Sequence, residues 1–214
     1  MREVAVRTVV LYDRMPCMFN PNQLHYFVQQ VDATRDVRGG ILEVGCAYGA
    51  TTVFLKRHMA AEGIEKRYTC VDTFNGFTPA DVAYERAERG KRYPYDDFRA
   101  NSKGRFERTL RLNNISGVEV ERCDIHDFDV SAVAPLAFCL LDVDLYSPTA
   151  AALPSLWEAL SPGGVLVVDD CDPDPYDDTF DGSGAAFREF ASKIEQPADV
   201  VCGKLGVLRK PLTS

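Results

Sequence analysis

The chain has 214 residues, a net charge of −8 and 46% hydrophobic residues, which suits one globular domain with a sizeable core. Because an acidic surface repels phosphate groups, we expect neither nucleic acid nor a membrane as partner. No apolar run approaches the ~20 residues of a membrane span, and residues 1–16 lack a signal-peptide pattern. The seven cysteines are scattered and form no CxxC pair, so we expect free thiols in a reducing cytoplasm.

Strand-like and helix-like segments alternate along the chain. A helix is predicted to start near Asn20, before the first strand. Strands are then predicted at 39–45, 67–74, 118–125, 135–144 and 165–170, helices at 50–63, 104–115, 149–164 and 184–196, and a strand pair at 198–210. This alternation predicts an α/β domain with a Rossmann-like, seven-stranded, mostly parallel sheet that ends in a C-terminal antiparallel hairpin.

Two segments fall outside this alternation. Residues 1–38 precede the first sheet strand and are interpreted as an N-terminal helical cap on the main domain, 39–214. Residues 75–103 form a polar, lid-like insertion, in which Glu85 and Arg89 have the i,i+4 spacing of a helical ion pair. The insertion is either a salt-bridged surface helix or a lid whose tyrosines stack on a ligand.

Each of the five predicted parallel strands carries an acidic residue at or near its C-terminal end. Ligands of open α/β sheets bind beyond the carboxyl ends of the strands, so this pattern indicates a common site at that edge. In chain order the acids are Glu43, Asp72, Asp124, the pair Asp142 and Asp144, and the pair Asp169 and Asp170.

The spacing of the first motif indicates which cofactor binds. Glu43, Gly45 and Gly49 form E-x-G-x-x-x-G, which lacks the third glycine of the dinucleotide fingerprint and so disfavours an NAD-dependent reductase. An acid at this position would repel a pyrophosphate but suits the ammonium group of S-adenosylmethionine. Asp72 is then placed to accept the ribose hydroxyls, and Asp124 to accept the adenine amino group.

The chain resembles the macrocin O-methyltransferase family of class I methyltransferases, which methylate sugar hydroxyls of natural products. The resemblance rests on four segments: ILEVGCAYGATT, VDTFNGF, LLDVDLYSPTAAALPSLWEALSPGGVLVVDDC and AAFREF. It implies the class I methyltransferase fold and a Mg²⁺ ion on Asp142, Asp169 and Asp170. The predicted cofactor site comprises Glu43, Gly45, Tyr48, Gly49, Thr51, Asp72, Thr73, Phe74, Asp124, Ile125 and Asp142.

The predicted chemistry is methyl transfer to a hydroxyl group of a small molecule. Asp142 and Asp169 are predicted to end neighbouring strands, and carboxylate oxygens are ligands that Mg²⁺ accepts. Such an ion lowers the pKa of a bound hydroxyl. Asp144 is the first choice for the proton acceptor, with His25, His58 and His126 as other bases, although Asp144 could equally turn the loop. We therefore assign Asp142 and Asp144 as catalytic.

Two other functions remain open at this point. One is methylation of a catechol or other phenol, and the other is a catalytically inactive cofactor-binding protein, which the three metal-type aspartates disfavour. The sequence leaves open whether the protein is a monomer or a homodimer.

Overall fold

The computed structural model describes residues 17–172 and 178–212, so the interpretation of residues 1–16 lies outside the described chain. The described helices are α1 (Pro21–Ala33), α2 (Ala50–Glu62), α3 (Pro79–Ala87), α4 (Lys103–Leu112), α5 (Tyr146–Ala159) and α6 (Gly182–Lys193), with a 3₁₀ turn at Val130–Val133. The described strands are β1 (Gly40–Val44), β2 (Tyr68–Asp72), β3 (Glu119–Arg122), β4 (Leu136–Leu141), β5 (Leu160–Val168), β6 (Asp199–Val201) and β7 (Leu205–Arg209).

The strands form one seven-stranded sheet in the order β3-β2-β1-β4-β5-β7-β6. The first five in this order are parallel, and β7 runs antiparallel to both β5 and β6. The predicted α/β class, the mostly parallel sheet and the C-terminal antiparallel hairpin are therefore confirmed. The strand order reverses between β1 and β4, which is where open sheets of this kind bind ligands.

Burial explains why β4 lies at the centre of the sheet. All six of its residues are buried, because α-helices cover both faces of a parallel sheet and its central strands need no polar face. Val44 of β1 pairs with Leu141 of β4, and Leu141 pairs with Val168 of β5. The residues that follow these strands consequently emerge side by side at one edge.

The strand β5 is longer than the sequence predicts. The helix predicted at 149–164 would include the Pro-Gly-Gly stretch, but α5 ends at Ala159 and β5 begins at Leu160 and includes it. Gly163 donates to the carbonyl of Lys210, and Lys210 donates to the carbonyl of Gly164, both at 2.9 Å. These bonds extend the sheet through the glycines, at a point where the pairing with β4 shifts register.

The helix α1 begins as predicted, with Asn20 as its N-cap and Gln23 completing a capping box. It packs near the C-terminal hairpin, because Arg209 donates to the side chain of Gln30 at 2.6 Å and Gln23 donates to the Cys202 carbonyl. The separation of 1–38 from the main domain stays a prediction. All seven cysteines are free thiols, and no described helix is long and apolar enough to cross a membrane.

Candidate functional site

A cavity of about 300 Å³ opens at the carboxyl edge of the parallel strands. Residues that follow each of β1 to β5 contribute to its wall, together with residues of the insertion. The insertion supplies apolar rings, with Phe77 and Phe98 in the wall and Phe180 joining them from the segment before α6. The ring centroid of Phe77 lies 6.0 Å from that of Phe98 and 6.1 Å from that of Phe180.

The glycine loop between β1 and α2 forms one wall of this cavity. Gly45 has a φ of +83°, and a Cβ atom on it would stand 1.6 Å from the carbonyl oxygen of Asp142. No larger residue fits there, so the glycine is required by the contact between the ends of β1 and β4. Asn101, in the insertion, stabilises the loop, because its side-chain amide donates to the Ala47 carbonyl at 2.9 Å.

Asp72 stands at the end of β2 with both carboxylate oxygens in use. One oxygen accepts from the backbone N–H of Ala47 at 2.8 Å and the other from that of Phe74 at 2.6 Å. Burial raises the pKa of Asp72, and these two hydrogen bonds oppose that rise. A carboxylate has about four lone-pair sites, so Asp72 retains capacity for two hydroxyl donors from the cavity.

Glu43 points away from the cavity and into the protein. Its carboxylate accepts from the Tyr68 hydroxyl at 2.6 Å and the Thr52 hydroxyl at 2.7 Å, and only 2% of the residue is exposed. Burial raises the pKa of Glu43 to about 7, against the effect of these hydrogen bonds. Glu43 thus ties β1 to β2 and α2, while its role as a cofactor anchor stays a prediction without a cavity contact to support it.

The remaining predicted cofactor residues divide into two groups. Gly45, Asp72, Thr73, Asp124, Ile125 and Asp142 line the cavity, whereas its wall does not include Tyr48, Gly49, Thr51 or Phe74. Thr51 and Phe74 are buried. The Tyr48 ring lies under the Arg105 guanidinium, which is 4.9 Å from its centroid. Their roles in binding remain predictions.

Four aspartates meet where β4 and β5 end. Asp144 and Asp170 adopt left-handed backbone conformations, with φ of 60° and 54°, which Asp tolerates better than most residues. Burial, followed by the charge of Asp169, raises the pKa of Asp142 well above its usual range. Burial, followed by the charge and hydrogen bond of Asp170, does the same for Asp144.

Lys204, from the turn between β6 and β7, neutralises part of this charge. Its ammonium lies 2.6 Å from Asp169 Oδ2 and 2.9 Å from Asp170 Oδ1. Burial lowers the pKa of Lys204, but the two carboxylates outweigh burial and raise it. Burial and the charge of Asp170 raise the pKa of Asp169 to about 6, although Lys204 acts to lower it.

The predicted magnesium ligands fit a divalent cation by their chemistry. They are carboxylate oxygens of residues that follow two adjacent strands, and Mg²⁺ prefers such ligands. The ammonium group of Lys204 already pairs with two of these carboxylates. Asp169 Oδ1 is buried and has no hydrogen-bond partner, so this oxygen is available to bind a cation. The compact metal-type group among the described residues is a different one, Asp81, Asp124 and His126, whose candidate ligand atoms lie within 4.8 Å of one another.

The three histidines occupy different surroundings. His58, on α2, bonds Asp32 of α1 at 2.8 Å. His25 is exposed on α1 and is not part of the cavity wall. His126 bonds Asp81 of the insertion at 3.0 Å, beside the cavity. Asp144 lines the cavity, so the structure favours it over His25 as a group that could meet an acceptor.

Sequence reasoning missed Lys204, Asp97 and Asp81, which all line the cavity. Lys204 lies in a Gly-Lys turn of the kind common on protein surfaces, so its local sequence does not predict a contact with Asp169. The other two lie in the insertion, whose length was the only signal that it had a function.

The sequence profile of the macrocin O-methyltransferase family (TylF) matches residues 20–201. The chain belongs to this family. It is therefore an S-adenosylmethionine-dependent O-methyltransferase, and the predicted family and enzyme class are confirmed. A relative from Streptomyces olivaceus, the 8-demethyl-8-(2,3-dimethoxy-alpha-L-rhamnosyl)-tetracenomycin-C 4'-O-methyltransferase, is 29% identical over 210 residues, which cover 84% of this chain and 77% of that protein.

Solved methyltransferase structures share the fold of this family member. The O-methyltransferase NovP superposes with a TM-score of 0.73 at 20% identity, over 91% of this chain and 82% of that one. The calicheamicin methyltransferase CalS11 superposes with a TM-score of 0.67 at 20% identity, over 88% and 78% of the two chains. At this identity the likeness shows the fold, which agrees with the predicted class I methyltransferase architecture.

Proposed function

We propose that this enzyme methylates a sugar hydroxyl of a small natural product and that a Mg²⁺ ion at the acidic edge assists the reaction. The observation that carries the proposal is the group of four aspartates at the ends of β4 and β5, in the wall of the cofactor-sized cavity. The name of the Streptomyces olivaceus relative, which acts on a rhamnosyl group, supports a sugar as the acceptor.

The chain's own residues would share the work as follows. Asp72 would hold the ribose of the cofactor, and Asp142, Asp169 and Asp170 would hold the ion. The ion supplies Lewis-acid polarisation of the acceptor hydroxyl when it is bound. Asp144 takes the proton from that hydroxyl, and the cavity wall aligns the oxygen with the methyl group of the cofactor.

The charge of the cavity argues for a neutral acceptor. The described lining contains eight aspartates and one lysine, so a diphosphate group would find a single cationic side chain there. The rings of Phe77, Phe98 and Phe180 offer an apolar surface for the part of the acceptor that carries the sugar. A phenol or catechol fits the same surface and is the second candidate.

The test measures the transfer of a labelled methyl group from S-adenosylmethionine to different acceptors, with and without metal. We expect transfer to a rhamnosylated aromatic glycoside, little transfer to its free phenolic aglycone or to a nucleotide-linked sugar, loss of turnover in EDTA and recovery with Mg²⁺. Asp169→Asn should lose turnover but still bind S-adenosylhomocysteine, whereas Asp127→Asn, on an exposed residue, should behave as wild type. Full turnover by metal-stripped enzyme would overturn the metal role, and preference for the aglycone would favour the phenol.

A further inference from the structure

Asp97, in the insertion, has a buried carboxylate oxygen without a partner. Its Oδ2 atom is shielded from solvent and accepts no hydrogen bond, a condition that among the described residues only Asp169 Oδ1 shares. Asp97 also belongs to the cavity wall. Leaving a polar oxygen buried and unpaired costs free energy, which indicates that a ligand supplies the missing partner.

The backbone around Asp97 is fixed over the glycine loop. Asn101, four residues later, donates to the Ala47 carbonyl, and the ring of Phe98 lies 6.2 Å from that of Tyr48. On the other side the backbone packs tightly on Gly76, where an added Cβ would stand 2.7 Å from the Asp97 carbonyl oxygen. Phe98 has a φ of 58°, so the segment holds a strained conformation that its contacts must maintain.

The position of Asp97 limits which ligand group it can meet. Asp72 would hold the ribose, and Asp124, beyond β3, would hold adenine, so the glycine loop faces the amino-acid end of the cofactor. Glu43 points away from the cavity, and the nearby cation Arg105 is engaged by the Ala100 carbonyl and the Tyr48 ring. The cofactor's own α-ammonium is a cation with three N–H donors.

We infer that Asp97 binds the α-ammonium of S-adenosylmethionine, so that the insertion itself completes the cofactor site. This inference rests on the proposed cofactor site. It gives the insertion a role that neither the lid nor the surface-helix interpretation includes, because the charge of the cofactor then holds the segment in place.

The test measures the binding of two probes by calorimetry. S-Adenosylhomocysteine carries the ammonium, whereas 5′-methylthioadenosine has the adenosine part without the amino-acid end. Asp97→Asn should weaken S-adenosylhomocysteine binding roughly 10- to 100-fold, the equivalent of one charged hydrogen bond, and leave 5′-methylthioadenosine binding unchanged. Asp96→Asn, on the exposed neighbour, should change neither.

A thermal unfolding measurement separates this role from a structural one. Because Asp97 Oδ2 has no partner, the ligand-free Asp97→Asn protein should unfold at the same temperature as wild type or higher. Unchanged S-adenosylhomocysteine binding, equal weakening of both probes, or a lower unfolding temperature would each overturn the inference. A wild-type protein that binds no S-adenosylhomocysteine would instead overturn the cofactor site on which it rests.

Discussion

At the scale of single residues, two strand-end acids perform different tasks. Glu43 lies within β1, where successive side chains alternate between the faces of the sheet, and its carboxylate enters the layer beneath α2. Asp72 is the last residue of β2 and turns into the cavity. The sequence shows both as acids near glycine-containing turns, so only the register of the strand separates a carboxylate buried in the core from one that faces the cavity.

Glu43→Gln should reduce the pH dependence of stability. Below pH about 4.5 Glu43 is protonated in both the folded and the unfolded state. As pH rises towards 7 the unfolded chain ionises while the folded one keeps its proton, so wild type loses stability across this window, by up to about 3 kcal/mol. Glutamine preserves the acceptor for Tyr68 and Thr52 but cannot ionise.

Urea unfolding of both proteins at pH 5, 6, 7 and 8 measures this difference. The free energy of unfolding of Glu43→Gln should increase relative to that of wild type as pH rises from 5 to 7, and the difference should then stay constant. Glu121→Gln, on an exposed residue of β3, is the matched control. Parallel pH curves for Glu43→Gln and wild type would show that Glu43 ionises as easily in the folded protein as in the unfolded one.

At the scale of elements, partly buried ion pairs hold the insertion against the rest of the domain. Arg89 bonds Glu85 at 2.9 Å and Asp181 at 2.6 Å, and the other oxygen of Glu85 accepts from the backbone N–H of Tyr146 at the start of α5. The predicted Glu85–Arg89 pair is confirmed, whereas the pair that Arg89 makes with Asp181 is not indicated by the sequence pattern. Arg89 and Glu85 therefore attach the insertion both to the segment that leads into α6 and to the start of α5.

Arg89→Met should loosen α3 without unfolding the domain. Removing the cation leaves Glu85, which is 1% exposed, without its charge partner, at a local cost of about 2–3 kcal/mol. Hydrogen exchange of residues 79–95 should accelerate in this variant, and S-adenosylhomocysteine should slow it again. Arg86→Met, on an exposed residue of the same helix, serves as control, and unchanged exchange in Arg89→Met would mean that apolar packing alone holds the insertion.

At the scale of the whole molecule, negative charge is concentrated at one edge of the sheet. Asp142, Asp144 and Asp169 all have raised pKa values, and that of Asp169 is about 6. Protons and a divalent ion compete for the same oxygens. The acidic edge should therefore bind Mg²⁺ weakly at pH 5 and more tightly at pH 8.

Mg²⁺ should raise the unfolding temperature more at pH 8 than at pH 5. Thermal unfolding with and without the ion, at matched ionic strength in KCl, measures the shift. Asp169→Asn should lose most of the shift at pH 8, because it removes a ligand that carries charge. An equal shift at both pH values, or the same shift with KCl alone, would show that Mg²⁺ acts by general screening.

The sequence predicts the frame of this molecule better than its contacts across the site. The apolar run of β4 and the acids near the strand ends suffice to predict the sheet and the edge at which the cavity opens, because both depend on local patterns. Lys204 meets Asp169 across 35 positions of chain, and Arg89 meets Asp181 across 92. Such pairs depend on how the hairpin and the insertion return to the edge, which no local periodicity encodes.

The lysine on the C-terminal hairpin has a consequence for how the enzyme would respond to its ion. Lys204 is covalently attached, so it competes for Asp169 and Asp170 at a fixed effective concentration that dilution cannot lower. A dissolved ion must displace this competitor or share the carboxylates with it, and its apparent affinity falls accordingly. The hairpin turn would thereby raise the concentration of free ion at which the acidic edge is half filled.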